Sequence, residues 1–461
     1  MGCFACLKSC VNPPIMVKKT VVLNRVSRQA GVYISFFLLL FFSSGGMLLL
    51  QVLCPSQAAA QSLQEALEEI ADQQDLMGGA LVVFCDTGIL HSHYFGRASL
   101  EENRLVGEHT LFRVASISKL VTAVAIMQQV ERNKLQLDSD ISTVLGFPIR
   151  NPNFPAQPIT PRMLLSHTAS FVDGPSYDSF LTATYREDSV PDIREILLQT
   201  GRFYDNYLFH SALPGSYFHY SNLNYVLLGT ILEKITGERF DRYCQRHVFE
   251  PLKSRASFNV QELVEPENLA VLYRKNGQEW LPQVDYHIGH LKKDTTLNSY
   301  VPGTNAGRLG PQGGMRISAS DLARFLQCLF ASRPGGTSLL LAATVDQMVS
   351  EQWRFTGENG NTQDGLFQSW GLGVHRINAP DGKDQVLSGS SGMIGHAGEA
   401  YGLVSDAYFD PERKVGLVFI TNGAGAGYAT GKNSAFYSVE EAVFKVIEAF
   451  GELDSCTSDK E

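Results

Sequence analysis

Apolar and polar residues follow one another along this chain in patterns that assign most of it beyond residue 60. Ser62-Leu-Gln-Glu65 reads as a capping box, and Leu63, Leu67 and Ile70 then share one helical face. A continuous apolar run at 80–84, a turn at Asp86-Thr-Gly88 and a second run at 89–95 predict a β-hairpin. A second hairpin is predicted from 403–409 and 415–421, around Asp410-Pro-Glu-Arg-Lys414. A last helix is expected from Ser438, with Glu441 three residues on and Val439, Val443, Val446, Ile447 and Phe450 on its buried side. Strands at both ends with helices between them predict an α+β fold. One antiparallel sheet is built from N- and C-terminal parts and flanked by helices, and a mostly helical lobe is inserted. Residues 280–312 are loop-rich and are expected to edge the cleft between sheet and lobe.

The N-terminus follows a different pattern. From Gln29 to Gln64 there is no charged residue, and 32–53 is almost wholly apolar. Lys18, Lys19, Arg25 and Arg28 stand ahead of it, and Pro55-Ser-Gln-Ala-Ala-Ala60 follows. Basic flank, apolar core and small-residue exit describe an export signal, with cleavage after Ala60. The apolar stretch is also about the ~20 residues a membrane span needs, so an uncleaved anchor is the rival reading. Either places residues 61–461 outside the cytoplasm, periplasmic or membrane-attached, because the basic flank stays inside. Met1-Gly-Cys suggests myristoylation, but Cys6 stands where that pattern wants Ser or Thr.

Composition narrows the class. At 461 residues with 44% hydrophobic content the chain suffices for one large core or two, and no repeat is visible. Residues 1–60 carry five basic and no acidic residues, so the net charge of −9 becomes −14 without them. Such an acidic body argues against nucleic acid as a partner. Of eight cysteines, Cys85, Cys244, Cys328 and Cys456 lie beyond the leader, far apart and without zinc spacing. Cys85 and Cys328 are expected in the core. His91 and His93 share a strand face, read as solvated, and no third ligand is spaced to complete a metal site. No metal or cofactor is expected. G-x-S-x-G is absent, which argues against the α/β-hydrolase route to ester cleavage.

Three short motifs carry candidate chemistry: Ser116-Ile-Ser-Lys119, Tyr220-Ser-Asn222 and His396-Ala-Gly398. Ser116 opens an apolar run, 120–127, that reads as a buried helix. At a helix N-terminus a serine oxygen meets outward-pointing N–H groups. Lys119, three residues on, shares its face and can reach the hydroxyl. Desolvation there would lower the lysine pKa and let it act as a base. Tyr204-Asp-Asn206 and His287-Ile-Gly289 duplicate the second and third motifs. Tyr220 is preferred because an apolar helical run, 223–237, follows it. His396 is preferred because Gly395 precedes it and the C-terminal hairpin follows.

In this order the motifs resemble the active-site set of the serine β-lactamase and penicillin-binding-protein superfamily, the class C-related members in particular. Ile159-Thr-Pro-Arg-Met-Leu-Leu-Ser-His-Thr-Ala169, 313–325 and 410–422 add to the resemblance, which spans roughly residue 79 to the C-terminal helix. It implies a serine hydrolase domain over 61–461 and acyl transfer through a Ser116 ester. Lys119 and the Tyr220 phenolate, or a proton shared between them, would be the base. It further implies that Asn222 binds the acyl side-chain amide and helps hold Lys119. The oxyanion hole would be the backbone N–H of Ser116 and of Glu399. His396 stands where class C β-lactamases have lysine, a departure that points toward esterases and D-amino-acid or DD-peptidases. Glu399 stands where a small or hydroxyl residue is usual and should repel a substrate carboxylate unless Arg308 or Arg316 compensates. The expected substrate is a small molecule or peptide bearing an ester or amide. The alternatives are a class C-like β-lactamase and a catalytically silent binding or scaffold protein of the same fold.

Overall fold

The two hairpins expected from the apolar runs both form and join edge to edge in one sheet. In the computed structural model, residues 55–263, 265–283, 295–331, 338–378, 382–390 and 392–450 are described; the apolar leader, His287 and Cys456 lie outside them. Five long strands make the body of the sheet: β1 (Gly78–Cys85), β2 (Ile89–Ser99), β3 (Ile394–Ala400), β4 (Leu403–Asp410) and β5 (Val415–Thr421). The strand order is Arg104–Leu105, β2, β1, β5, β4, β3, then the short strands His375–Arg376, Ser369–Trp370 and Trp353–Arg354. Adjacent strands are antiparallel, and the N- and C-terminal halves meet where Gly79 pairs with Thr421 and Cys85 with Val415.

Both faces of β1 and β5 are covered, which is why 80–84 and 417–420 read as unbroken apolar runs. Ala80, Val82 and Phe84 of β1 join Val418 and Ile420 of β5 in the larger core, shared with the helical lobe. Leu81, Val83, Leu417 and Phe419 face the other way, onto α1 (Pro55–Gln73) and the C-terminal helix Ser438–Ala449. In the lobe, α2 (Ser118–Glu131) and α3 (Asn222–Thr236) pack together. Residues 118–129 of α2 and 223–233 of α3 are all buried. A helix that is apolar on every side belongs at the centre of a lobe. With α4 (Ala319–Phe330) and the C-terminal helix as α5, these are the elements that position the site.

Three local expectations are corrected. The first helix starts at Pro55, so Ser62 lies inside it and does not cap it. The last helix is capped at Tyr437, whose backbone N–H donates to Glu440 at 2.5 Å, while Glu441 accepts from Asn433 and Ser434 in the preceding loop. His91 and His93 do share a face, but α1 and α5 cover it: His93 is 3.8 Å from Glu68 and the His91 ring packs on Phe450. Among the described residues no group of side chains could hold a metal ion, and no helix is long and apolar enough to cross a membrane. Cys85 and Cys244 are buried and Cys328 packs against the core.

Between β4 and α5 two buried carboxyl groups meet. Burial first, then the charge of Glu440, pushes Asp406 well above the usual carboxylate range. Burial pushes Glu440 up to about 8, against the pull of the Tyr437 backbone N–H. Between the ordinary carboxyl range and about pH 8 the folded state therefore holds protons that the unfolded chain has released. Stability should fall as pH rises through that window. Thermal melts between pH 5 and 9 should show this decline, and Asp406→Asn should flatten it. A melting temperature as steep in pH for the variant as for the parent would refute this account.

Candidate active site

Ser116 lies in a 3-10 turn, Ala115–Ile117, that leads into α2, so the serine precedes the helix by one step. Ala115 has φ of +42°, the left-handed region, a strain of about 1–3 kcal/mol that surrounding structure must hold. It is held from both sides: Ile117 N–H and the Ser405 hydroxyl each donate to the Val114 carbonyl at 3.2 Å.

Lys119 is completely buried because α2 is central to the lobe. Its Nζ lies 3.0 Å from Ser116 Oγ, 2.8 Å from Asn222 Oδ1 and 2.6 Å from the Gln312 carbonyl. Burial pushes its pKa down to about 7, against the opposing charge of Asp173. The neutral amine fits this geometry fully. Its two N–H groups serve Asn222 and Gln312, and its lone pair accepts the Ser116 hydroxyl. Segment 311–315 is pinned alongside, since Thr122 Oγ1 donates to the Pro311 carbonyl at 2.7 Å and Met315 N–H donates to Ser118 Oγ at 3.0 Å. Residues 311–312 thus edge the site as the sequence suggested.

The titration has a readable consequence. Only the neutral amine can take the serine proton, so kcat/KM for an activated ester should rise with pH, reach half its plateau near pH 7 and level off above. Asp173→Asn removes the charge that holds the pKa up and should move that inflection to lower pH. A flat profile from pH 5 to 9 would exclude Lys119 as the titrating base.

Tyr220 is held as a plate between two rings, His167 at 4.3 Å and Phe367 at 5.2 Å between centroids. The backbone on either side is tied to the same histidine: His219 N–H donates to the His167 carbonyl at 2.8 Å and Ser221 N–H to His167 Nδ1 at 3.1 Å. Burial keeps the imidazole neutral, consistent with Nδ1 as acceptor. The Tyr220 hydroxyl is buried and faces the Ser116 side chain. Burial pushes its pKa far above the ordinary phenol range. This corrects the expectation of a phenolate base. Burial disfavours the charged form of both groups, so the neutral Lys119 amine beside a protonated Tyr220 is the favoured pair.

Asp173 is a residue that sequence reasoning missed. Its carboxylate accepts from Asn222 N–H at 2.6 Å, Leu223 N–H at 3.2 Å and the Ser221 hydroxyl at 2.7 Å. It thereby caps α3 and fixes Asn222, which in turn holds Lys119. It stands 49 residues ahead of Asn222, and no spacing rule singles it out. His167 lay within a segment recognised for resemblance, but nothing in the sequence tied it to Tyr220.

His396 on β3 is buried and neutral, with Nδ1 donating to the Ala397 carbonyl at 2.5 Å and Nε2 unpartnered; its ring is 6.1 Å from Tyr220. Gly398 is where β3 touches the serine turn. A Cβ there would sit 2.6 Å from the Val114 carbonyl and 3.1 Å from Ser116 N. Only glycine leaves the space in front of that N–H where an oxyanion would lie. Glu399 follows, its exposed carboxylate accepting from the Tyr437 hydroxyl. The structure thus brings Ser116, Lys119, Tyr220, Asn222, His396 and Gly398 together, while Glu399, next along β3, turns to Tyr437. It leaves aside Tyr204, which donates to Asn206 at 3.0 Å. Arg316 is buried, donating to the Gly314 carbonyl at 2.6 Å, and Arg308 lies over the Tyr185 ring.

A serine hydroxyl 3.0 Å from a buried lysine amine is the pairing that a serine hydrolase working through an acyl-enzyme requires. The chain belongs to the Beta-lactamase family, whose sequence profile matches residues 63–435. Penicillin-binding protein 4* of Bacillus subtilis (strain 168) is 26% identical over 375 residues, 79% of this chain and 72% of that protein. Among solved structures, EstCE1, a hydrolase with promiscuous acyltransferase activity, aligns with a TM-score of 0.62 at 22% identity, over 84% of this chain and 100% of its own. D-amino acid amidase from Ochrobactrum anthropi SV3 aligns with a TM-score of 0.59 at 20% identity, over 85% and 98%. These likenesses show the shared fold.

Proposed function

We propose that this enzyme hydrolyses an ester or amide of a small molecule or peptide outside the cytoplasm, with Ser116 as nucleophile. Ser116 Oγ adds to the carbonyl carbon while Lys119 Nζ takes its proton. The oxyanion is met by the N–H groups of Ser116 and Glu399. Collapse breaks the bond to the leaving group, which departs with a proton returned through Lys119 and Tyr220. Water then adds to the Ser116 ester by the same route in reverse roles, releasing the acid. The observation that carries this reading is the buried Lys119 amine, 3.0 Å from Ser116 Oγ and with a pKa near 7.

The substrate favoured is an ester, or an amide of the kind a D-amino-acid peptidase or amidase cuts, because His396 and Glu399 do not suit a substrate carboxylate. A class C-like β-lactamase is the second reading, supported by the family. A silent scaffold is disfavoured by the intact serine, lysine and tyrosine. Labelling purified protein with a fluorophosphonate and with a fluorescent penicillin, with Ser116→Ala as control, separates the three. The first probe alone supports the ester or amide reading, fast turnover of the second the β-lactamase, and neither the scaffold.

Residues 1–60 are proposed as the export signal or membrane anchor and 61–461 as the catalytic domain, on the strength of the uncharged span after a basic flank. A reporter active only outside the cytoplasm, fused after Gln61, tests export. Sequencing the N-terminus of mature protein distinguishes cleavage from anchoring.

A further inference from the structure

Tyr225 stands three residues after Asn222 on α3, so the two side chains share one helical face, and both reach Lys119. Lys119 Nζ lies over the Tyr220 ring, 4.9 Å from its centroid, and over the Tyr225 ring, 5.5 Å from its centroid. His167 touches both rings, at 4.3 Å from Tyr220 and 5.2 Å from Tyr225, and so keeps them in one arrangement. Tyr225 is completely buried, and its hydroxyl donates to the Leu165 carbonyl at 3.2 Å. Gly373 leaves room for that hydroxyl, since a Cβ there would lie 3.0 Å from it. Burial keeps the Tyr225 phenol protonated, so the ring offers its face and no competing base. The other titratable groups around Lys119, among the described residues, are Asp173, Tyr220 ahead of α3, His167, and His396 on β3; burial holds the tyrosine and both histidines neutral.

An ammonium group forms at Lys119 when the amine takes the Ser116 proton, and in a fully buried site that charge needs a partner. A carboxylate in direct contact would hold the proton at neutral pH and leave no base. An aromatic face attracts the cation more weakly and competes for neither of the N–H groups that serve Asn222 and Gln312, so the lone pair stays free for Ser116. We propose that Tyr225 is a positioning residue that acts through Lys119, its ring face stabilising the positive charge that develops there as Ser116 adds to the substrate carbonyl. This rests on the acyl-enzyme reading above and assigns a further residue to that same reaction.

The readout is the pH at which kcat/KM for p-nitrophenyl acetate reaches half its plateau, expected near the Lys119 pKa of about 7 in the parent. Tyr225→Phe keeps the ring and should keep that inflection close to the parent's. Mono-, di- and trifluorophenylalanine placed at 225 withdraw electron density from the ring face with little change in size. The inflection should then step downward with each fluorine, by about half a unit to one unit in all. The plateau should fall with it as the base weakens. Melting temperatures should match that of Tyr225→Phe, which separates lost charge stabilisation from lost packing. If losing the hydrogen bond to Leu165 unfolds Tyr225→Phe, ring-fluorinated tyrosine at 225 keeps the hydroxyl and carries the same comparison with the parent. An inflection that stays fixed or moves upward across the series overturns the assignment. Hydrolysis that survives Ser116→Ala instead overturns the acyl-enzyme reading, so the two failures are distinguishable.

Discussion

Replacing Ser116 by alanine should leave a folded protein with no measurable hydrolysis of an activated ester, a loss on the order of 10⁴–10⁶-fold. The serine contributes little to packing. Its hydroxyl meets Lys119 Nζ at 3.0 Å in a part-exposed turn. The turn is held by the Val114 carbonyl and its two donors, none of which is the Ser116 side chain. Lys119 keeps Asn222 and Gln312 as acceptors in the variant, so the base is not stranded. Circular dichroism and melting temperature should match the parent, while fluorophosphonate labelling disappears. Full activity in the variant would remove Ser116 from the mechanism.

The second large effect is expected at Tyr220. Its hydroxyl is buried and faces the Ser116 side chain, and among the described residues it holds no other side chain in place. The ring itself is fixed by His167 and Phe367, contacts that phenylalanine keeps. Tyr220→Phe should therefore fold about as stably as the parent, yet lose about 10²–10⁴-fold in rate through loss of proton transfer. Lys119→Ala should lose as much activity but also stability, because it leaves Asn222 Oδ1 and the Gln312 carbonyl without their buried donor. Tyr204→Phe should change the rate little, since that hydroxyl engages only Asn206. The contrast between a stable Tyr220 variant and a destabilised Lys119 variant is the decisive readout. Sensitivity at Tyr204 in place of Tyr220 would show that the second motif had been misassigned.

The sequence by itself determined the two hairpins, the buried helices that follow Lys119 and Asn222, and the order of the motifs. Runs such as 80–84 and 417–420 are apolar at every position, and only a strand covered on both faces, or a buried helix, uses such a run. Their length and bounding turns decided for strand. The apolar helix after Lys119 likewise announced a buried lysine, because a charged residue at the start of an all-apolar helix is carried inside with it. Local pattern is enough for these features, since each depends on residues within one turn or one pleat.

What tertiary structure alone decided lies between segments far apart in the chain. Gly79 meets Thr421, Asp173 reaches Asn222, and His167 both ties the backbone around Tyr220 and stacks on its ring. None of these has a spacing signature, because a hydrogen bond across a fold depends on where two elements dock and not on residue count. The protonation states belong here too. Sequence allowed either a phenolate or a shared proton, but burial of both side chains penalises each charged form and favours a neutral lysine beside a protonated tyrosine. The helix caps failed for a related reason. Ser62 and Ser438 had the right residue types, but upstream residues continued the first helix and Tyr437 with Glu440 took the cap of the last. Helix ends are held by a few hydrogen bonds that packing easily outweighs, whereas apolar runs are held by the burial of many side chains at once.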